Sequence, residues 1–424
     1  MLIYAVKFIK NTNMKNQQNR TLGAFEKTFW LLDQIDSKDF ALAADIDGIE
    51  PVTAWQQAIR SAQLRHPNLS VRIVQDQFSR PALEHVDQLP IPIRVLNVDK
   101  DYRWEQEVEK ELAVRFITAE GPLLRVVLIQ KPASTVLILA AHHAVADGTS
   151  LSYLIRDILT AVSGNELPAM NPQPSNDESL GLPEDVITAL SDKQYIWTDQ
   201  NKAVAPKVLS IRVNKEITDK LIDKAREEKT TVHGALCATV LILSRKMRSE
   251  WSDKKIEMIS PICARRPLGL DDNYGLNITT HAVYFEGEQN LSFWNVARLA
   301  KDGLSGTNTE EHVKNYINFF RGIAFNSADI QQMIDILKNA FNHEIMVTNL
   351  GKIRYSTEFG KLKLKAVYGP MVRSGKGKEQ TIGVITSNGS LCFTNTSDNP
   401  IDGLLEKMVK MITVACETAA DVVV

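Results

Sequence analysis

The chain has few cysteines and no pattern among them. Cys237, Cys263, Cys392 and Cys416 are its four, with no CxxC pair and no zinc-type spacing. They read as buried free thiols in a reducing compartment. No run of about 18 uncharged apolar residues occurs, so no transmembrane segment is expected. The opening Met1–Lys10 stretch is interrupted by Lys7 and lacks a small-residue cleavage site, so no signal peptide is expected either. A dominant charge is also missing. Lys and Arg number 49 against 51 Asp and Glu, a net charge of −2, which offers no global field to nucleic acid or an anionic membrane. There is no GxSxG nucleophile elbow. The run Gly369–Gly377 resembles a phosphate loop but puts five residues between Gly369 and Gly375, and Gly377 stands where Ser or Thr belongs. These absences leave a cytoplasmic, monomeric globular protein as the expectation.

What is present fits that class. Apolar residues make up 44% and charged residues 24% of 424 residues, ordinary globular composition in a chain too long for one domain of about 100–200 residues. Residues 11–20 read as a loose leader. Phe40 to Ile46 alternates as a strand with Phe40, Leu42 and Ala44 on one face. A helix follows Thr53, carrying Trp55, Ala58, Ile59, Ala62 and Leu64, and Pro67 stops it. Leu69–Val74 reads as a strand and Trp104–Phe116 as a charged amphipathic helix. Leu123–Gln130 and Thr135–Ala141 form a hairpin pattern. Leu151, Leu154, Ile155, Ile158, Leu159 and Val162 then share one helical face, with Gly164 as the stop.

Pro168, Pro172, Pro174 and Pro183 among polar residues mark 171–207 as a surface linker between an N-terminal unit, 18–170, and a C-terminal unit, 208–424. The second unit starts with a strand (Val208–Val213) and helices over Ile217–Glu228 and Val232–Met247. Strands follow at Lys255–Ile262, Glu344–Leu350, Leu362–Tyr368, Thr381–Ser387 and Ser390–Thr394, and a helix over Leu404–Ala419 closes the chain. Both halves are mixed strand and helix, so the fold class is α/β. From 352 to 378 eight Lys and Arg residues face one acid, Glu358. Contact with coenzyme A phosphates or an acidic carrier protein is one reading. The alternation of Lys361, Lys363 and Lys365 with Leu362 and Leu364 favours a solvent-facing strand, an edge guarded by lysines.

The chemistry concentrates in His142-His143-Ala-Val-Ala-Asp147-Gly148, where an apolar strand ends in two histidines and a turn leads into a helix. Neighbouring strand side chains point to opposite faces, so the two histidines do not serve one site, and with no further ligand cluster nearby no metal is expected. A histidine here suits general-base work near neutral pH. Asp147 would orient the loop or hold an arginine, and Gly148 would supply backbone freedom. From the residues alone, a catalytic histidine and a pair of buried histidines beside an Asp-Gly turn stand about level. His66, His85, His233, His281, His312 and His343 stand alone, and no chemistry is assigned to them.

This segment resembles HHxxxDG, the signature of the chloramphenicol-acetyltransferase-like superfamily, which includes condensation domains and alcohol acyltransferases. Further segments follow in the family's order. They are Arg20-Thr-Leu22-Gly-Ala-Phe-Glu26, Leu64-Arg-His-Pro67-Asn-Leu69, Gly121-Pro122-Leu-Leu-Arg125 and Thr230-Thr-Val232-His, then Ser260-Pro-Ile-Cys-Ala-Arg265-Arg266-Pro267 with Asn273-Tyr-Gly275-Leu-Asn277, and Val347-Thr348-Asn349-Leu350-Gly351, similar to an SNLG strand. The plant DFGWG segment is absent, which points away from the plant branch and to the bacterial alcohol-acyltransferase-like or condensation-like branches. The resemblance is strongest to bacterial alcohol-acetyltransferase-like and polyketide-associated acyltransferases.

The resemblance implies two α/β sandwich subdomains of one type, joined as a pseudo-dimer with the active site at their interface. It implies His143 as general base and His142 as loop support. Asp147 would pair with Arg265 or Arg266, Arg265 being favoured, and Gly148 would be the turn glycine. Thr348, Asn349 and Asn273, with Asn277, become candidates for oxyanion or substrate contacts. The implied reaction moves an acyl group from acyl-CoA, or from the phosphopantetheine arm of a separate acyl carrier protein, directly to a hydroxyl, in natural-product or lipid biosynthesis, with no bound cofactor. Two alternatives remain: a free-standing condensation enzyme forming an amide on an amine acceptor, and a non-catalytic binding module.

Overall fold

A computed structural model describes residues 19–78, 80–184, 205–287, 292–325, 329–374 and 377–417. The expected leader up to residue 18, the first ten residues and the linker stretch 185–204 lie outside the described residues. The first half runs β1 (Arg20–Thr21), α1 (Ala24–Asp33), β2 (Asp39–Asp47), α2 (Val52–Arg65), β3 (Val71–Gln75), β4 (Pro81–His85), β5 (Ile93–Asn97), α3 (Glu105–Leu112), β6 (Leu124–Gln130), β7 (Ser134–His142), α4 (Gly148–Val162) and the short α5 (Asn176–Ser179). The second half runs β8 (Lys207–Arg212), α6 (Lys215–Glu227), α7 (Val232–Met247), β9 (Ile256–Cys263), β10 (Ile278–Phe285), α8 (Phe293–Gly303), α9 (Glu310–Ala324), α10 (Ile330–Ala340), β11 (Ile345–Lys352), β12 (Glu358–Phe359), β13 (Leu362–Val372), β14 (Gln380–Ser387), β15 (Ser390–Ser397) and α11 (Leu404–Glu417).

These strands form two six-stranded sheets, ordered β12-β13-β2-β7-β6-β5 and β10-β9-β11-β14-β15-β8, beside a small sheet β1-β4-β3. In β2 the alternation holds, but both faces are buried. Phe40, Leu42, Ala44 and Ile46 enter the main core under α2 and α4. Ala41 and Ala43 face a second core with Trp104, which precedes α3, Val108 and Leu112 of α3 and Ile138 of β7. A strand apolar on both faces is costly at a sheet edge. One flank of β2 pairs with β7, and the other takes β13 in antiparallel register, Val367 opposite Ala44.

That pairing corrects the expected division at residue 208. Strands β12 and β13 come from the second half of the chain yet complete the first half's sheet. Helices α9 and α10 likewise send Ile317, Phe320, Met333 and Leu337 into the core that holds α1. The lysine strand is therefore not the edge, because β12 lies outside it, with Glu358 opposite Lys363. Its charges are paired as well: Lys363 with Glu358 at 2.9 Å and Lys365 with Asp47 at 3.2 Å.

The expected surface linker is partly structural. Asp177 Oδ2 accepts the Ala24 N–H at the start of α1 at 3.0 Å, and Asp177 Oδ1 accepts from Arg321 of α9 at 2.7 Å. The Arg20–Glu26 pair, 2.6 Å apart, sits alongside. The buried capping duties of Asp177 were hidden by polar, proline-rich surroundings that read as solvent-facing.

Among the helices, α4 buries Leu151, Leu154, Ile155, Ile158 and Leu159 as its spacing requires, and Gly164 follows its end at φ +86°. In α2, however, Leu64 is 62% exposed and Gln63 is buried in its stead. The helix ends one residue later, and Leu64 has rotated off the face set by Trp55, Ile59 and Ala62. Ile158→Ala should therefore cost about 2–5 kcal/mol, a core truncation with a cavity left behind, while Leu64→Ala should be near neutral. Urea midpoints of the two variants check the contrast, and equal shifts would contradict the packing described.

Candidate active site

The passage from β7 to α4 places the motif where the halves meet. His142 pairs with Asp39 at the end of the β2–β7 ladder. The next residue leaves the strand, and its N–H donates to the Lys38 carbonyl at 2.9 Å. The two rings then diverge, as alternation requires. His142 meets the edge of Phe116, while His143 stacks on Phe29 and Phe40, with centroids 4.6 and 4.1 Å away and interplanar angles of 15° and 24°. Two near-parallel rings at such distances cannot share one face, so Phe29 and Phe40 sandwich the imidazole.

His143 is 7% exposed. Its Nδ1 lies 3.1 Å from the Ala146 carbonyl. A carbonyl only accepts, so Nδ1 carries the proton and Nε2 presents a bare lone pair. Burial pushes the pKa down to about 3, with Asp147 opposing too weakly to restore it. The ring is thus neutral and proton-accepting throughout the physiological range.

His142 is the reverse. The Ala144 N–H donates to its Nδ1 at 3.1 Å, so its proton sits on Nε2, facing Asp33 Oδ2 at 3.6 Å. Burial opposes an imidazolium here too, but Asp33 outweighs it and raises the pKa. Burial alone would lift Asp33, yet His142 and Arg115, the latter 3.5 Å away, hold it below the ordinary carboxylate range. Asp39, accepting from Ser37 Oγ at 2.5 Å, is pushed up to about 6 by burial and by Asp33. Asp33, Asp39 and His142 converge closely enough to offer ligand atoms to a metal ion. The Arg115 guanidinium beside Asp33 already supplies positive charge there, so the group reads as a buried ionic support under the His142 end of the loop.

Asp147 caps α4, its Oδ1 accepting from Ser150 N at 2.8 Å. Its Oδ2 accepts from Arg265 Nη1 at 2.8 Å and from Asn277 N at 2.7 Å, both in the second half. Arg265 also donates to Ser150 Oγ at 2.7 Å, and Ser150 Oγ donates to the Gly275 carbonyl at 2.6 Å. The choice between the adjacent arginines is thereby resolved: Arg265 is buried in this network and Arg266 is exposed. Gly148 plays a different part from the one expected. Its φ is not positive. A Cβ there would sit 2.6 Å from Pro370 Cγ and 3.1 Å from Leu350 Cδ2, so the glycine admits β13 and β11 rather than a turn.

The oxyanion candidates separate. Asn349 Oδ1 accepts from Gly351 N at 2.8 Å, a local turn, and Asn273 Nδ2 donates to the Asn171 carbonyl at 3.2 Å. Thr348 is buried on β11, two residues from Met346 and so on the same face. No hydrogen bond joins Thr348, Asn349 or Asn273 to His143 among the described residues. The Asn277 side chain is buried and unpaired, while its backbone serves Asp147.

Met346 lines a cavity of about 430 Å³ between the halves, walled by Phe29, Leu32, Ile35, Ile278, Phe341 and Val372, with Lys38, Arg373, His343 and Ser374 among its polar residues. Phe29 is at once a wall of this cavity and one of the rings stacked on His143. Phe29, Phe40, Asp33 and Ser150 carried no marker in the sequence. The spacing of Phe29 and Phe40 shows no pattern, and only the fold brings them to one imidazole.

Residues 45–177 match the family model described as Condensation domain. The hybrid PKS-NRPS synthetase thnA of Trichoderma harzianum is 25% identical over 257 residues, 58% of this chain and 6% of that protein. The chain spans about a tenth or less of the length of the curated relatives it matches. The first condensation domain of the CDA synthetase superposes with a TM-score of 0.70 at 16% identity, covering 95% of this chain and 97% of that one. TRI3 trichothecene 15-O-acetyltransferase from Fusarium sporotrichioides gives 0.65 at 11% identity, covering 94% and 95%. Residues 45–177 thus resemble a condensation domain, and across 94–95% of its length the chain shares the two-subdomain fold of a synthetase condensation domain and of an O-acetyltransferase.

Two outcomes follow from the geometry. Asp147→Ala leaves Arg265 buried without its partner and should cost roughly 3–5 kcal/mol, read from thermal or urea unfolding. The pH dependence has a definite sign. The unfolded chain takes up the His143 proton near 6.5 and the folded one only near 3, so stability is lost as pH falls through that window. Wild type should weaken relative to His143→Phe between about pH 7 and pH 5, by up to roughly 1.4 kcal/mol per unit. Parallel curves for the two proteins would contradict the buried neutral imidazole.

Proposed function

We propose that the chain is an acyltransferase that moves an acyl group from a coenzyme A or carrier-protein thioester to a hydroxyl acceptor, with His143 as general base. The observation that carries this reading is the imidazole itself, with its proton fixed on Nδ1 by Ala146 and its bare Nε2 held between two aromatic rings. In the step this supports, Nε2 takes the acceptor's O–H proton as the oxygen attacks the thioester carbonyl. The tetrahedral intermediate collapses, the C–S bond breaks, and the imidazolium returns its proton to the departing sulfur. No acyl-enzyme is required. A base held at about pKa 3 is already deprotonated before each turnover. Its small driving force for proton uptake is offset as negative charge builds on the neighbouring oxygen.

His142, Asp147, Gly148 and Arg265 are assigned to holding the loop. Thr348, on the strand face shared with Met346, is the best placed of the oxyanion candidates. The shared fold with an O-acetyltransferase and the small cavity beside Phe29 support a compact hydroxyl acceptor. A second reading, amide formation between carrier-bound substrates, is supported by the match to synthetase condensation domains. One base serves both, and the acceptor atom separates them.

The purified protein incubated with acyl-CoA or acyl-carrier donors and a panel of alcohols and amines, with products weighed by mass spectrometry, distinguishes the readings. Ester products are expected, and His143→Ala should slow their formation roughly 10²–10⁴-fold. Undiminished turnover by that variant with chemistry rate-limiting would sink the mechanism. Amide products alone would select the second reading.

A further inference from the structure

A second histidine is held as His143 is. His343, between α10 and β11, is buried, and its Nδ1 lies 3.1 Å from the Phe341 carbonyl. That oxygen only accepts, so the proton is on Nδ1 and Nε2 must accept. Its partner is Ser374 Oγ at 3.1 Å, which therefore spends its one proton there. Thr381 Oγ1, 2.8 Å from Ser374 Oγ, must then be the donor in their bond. A hydroxyl has one donor and two acceptor positions. With the donor given to His343 and one lone pair to Thr381, Ser374 keeps a single open acceptor, and it lines the 430 Å³ cavity. Burial holds His343 down to about pKa 4, so the arrangement persists at neutral pH.

The rest of the wall is apolar or electrically balanced. Lys38 lies 3.2 Å from Asp36. Arg373 stands between Asp36 at 3.4 Å and Asp398 at 3.1 Å, and Lys338 is 3.9 Å from Asp335. Each cation has a carboxylate, so the cavity does not select for charge. It offers the sides of Phe29, Ile278, Phe341 and Met346, the open acceptor on Ser374, the Thr280 hydroxyl bonded to Tyr316, and Arg373 Nη1, which faces Asp36 without a hydrogen bond.

We propose that this cavity receives the non-reacting end of the acyl acceptor, an uncharged and largely apolar group that carries a hydroxyl donated to Ser374. The assignment to the acceptor rests on the acyl-transfer reading, in which the acceptor is itself a hydroxyl compound. The binding preference stands without it. Ser374 and His343 are specificity-determining residues in this scheme, and Phe29 connects their cavity to the face of His143.

The test is calorimetric binding of phenethyl alcohol and of its methyl ether, with no thioester present. The two probes share an apolar body, and only the alcohol donates. Wild type should hold the alcohol roughly three- to ten-fold more tightly than the ether, the scale of one net neutral hydrogen bond. Ser374→Ala should bring the two to equal affinity. Met346→Trp, or Ile278→Trp should the first variant not fold, should weaken both probes alike by filling the cavity. His143→Ala should leave the preference intact. Equal affinities in wild type, or a preference surviving in Ser374→Ala, would overturn the proposal. A preference without any acyl transfer would remove the catalytic reading alone, and acyl transfer without the preference would remove the cavity assignment alone.

Discussion

The carboxylate of Asp147 is where the two halves of this molecule are fastened around the chemistry. One oxygen caps α4 through Ser150, and the other holds Arg265 and the Asn277 amide of the opposite half. Each contact has a local purpose, and together they set the loop that carries His143. An ion pair taken out of water gains little net energy unless its remaining hydrogen-bonding capacity is met. Here Ser150 and the backbone at Gly275 meet most of it. The pair therefore serves as a register between halves more than as a source of stability. Gly148, next along, lets Pro370 and Leu350 approach the start of the same helix, so both sheets are packed against one short turn.

The two neighbouring histidines show how one dipeptide acquires two chemistries. Both rings are buried and differ in what faces them. Asp33 keeps a proton on His142 Nε2, and the Ala146 carbonyl keeps one on His143 Nδ1 by accepting its hydrogen bond. Opposite tautomers follow, with opposite pKa shifts. His343 repeats the His143 arrangement, with its Nδ1 on a backbone carbonyl, and has a serine hydroxyl at its Nε2 in a cavity that Phe29 also lines. Histidines that looked isolated along the chain thus divide by environment. His66, bonded to Asp157 at 2.7 Å, secures α2 to α4, whereas His343 reaches a cavity.

Local pattern was a good guide wherever burial follows from a single element. The apolar spacing of α4, the full extent of α7 and the β6–β7 hairpin were legible because their periodicity and their stops agree. It failed where a segment's role depends on a distant partner. The elements β10 and α8–α10 between 278 and 340 drew no expectation, and α9 and α10 owe their burial to α1 some 300 residues earlier in the chain. The proline-rich stretch around Asp177 read as solvated because nothing nearby announces that it caps α1 and meets Arg321.

By itself the sequence determined the α/β class, the strand–turn–helix setting of His142 to Gly148 and the resemblance that singles out His143. These are properties of residues close in the chain, where alternation, capping and turn chemistry act. The tertiary structure alone decided that β13 leaves its own half to flank β2, that Arg265 and not Arg266 meets Asp147, and that Gly148 is required for space rather than for its φ. It also decided that Phe29 and Phe40 enclose the imidazole. The physical reason is common to all four. Each depends on which surfaces are desolvated together, and that is set by long-range packing, which no local period encodes.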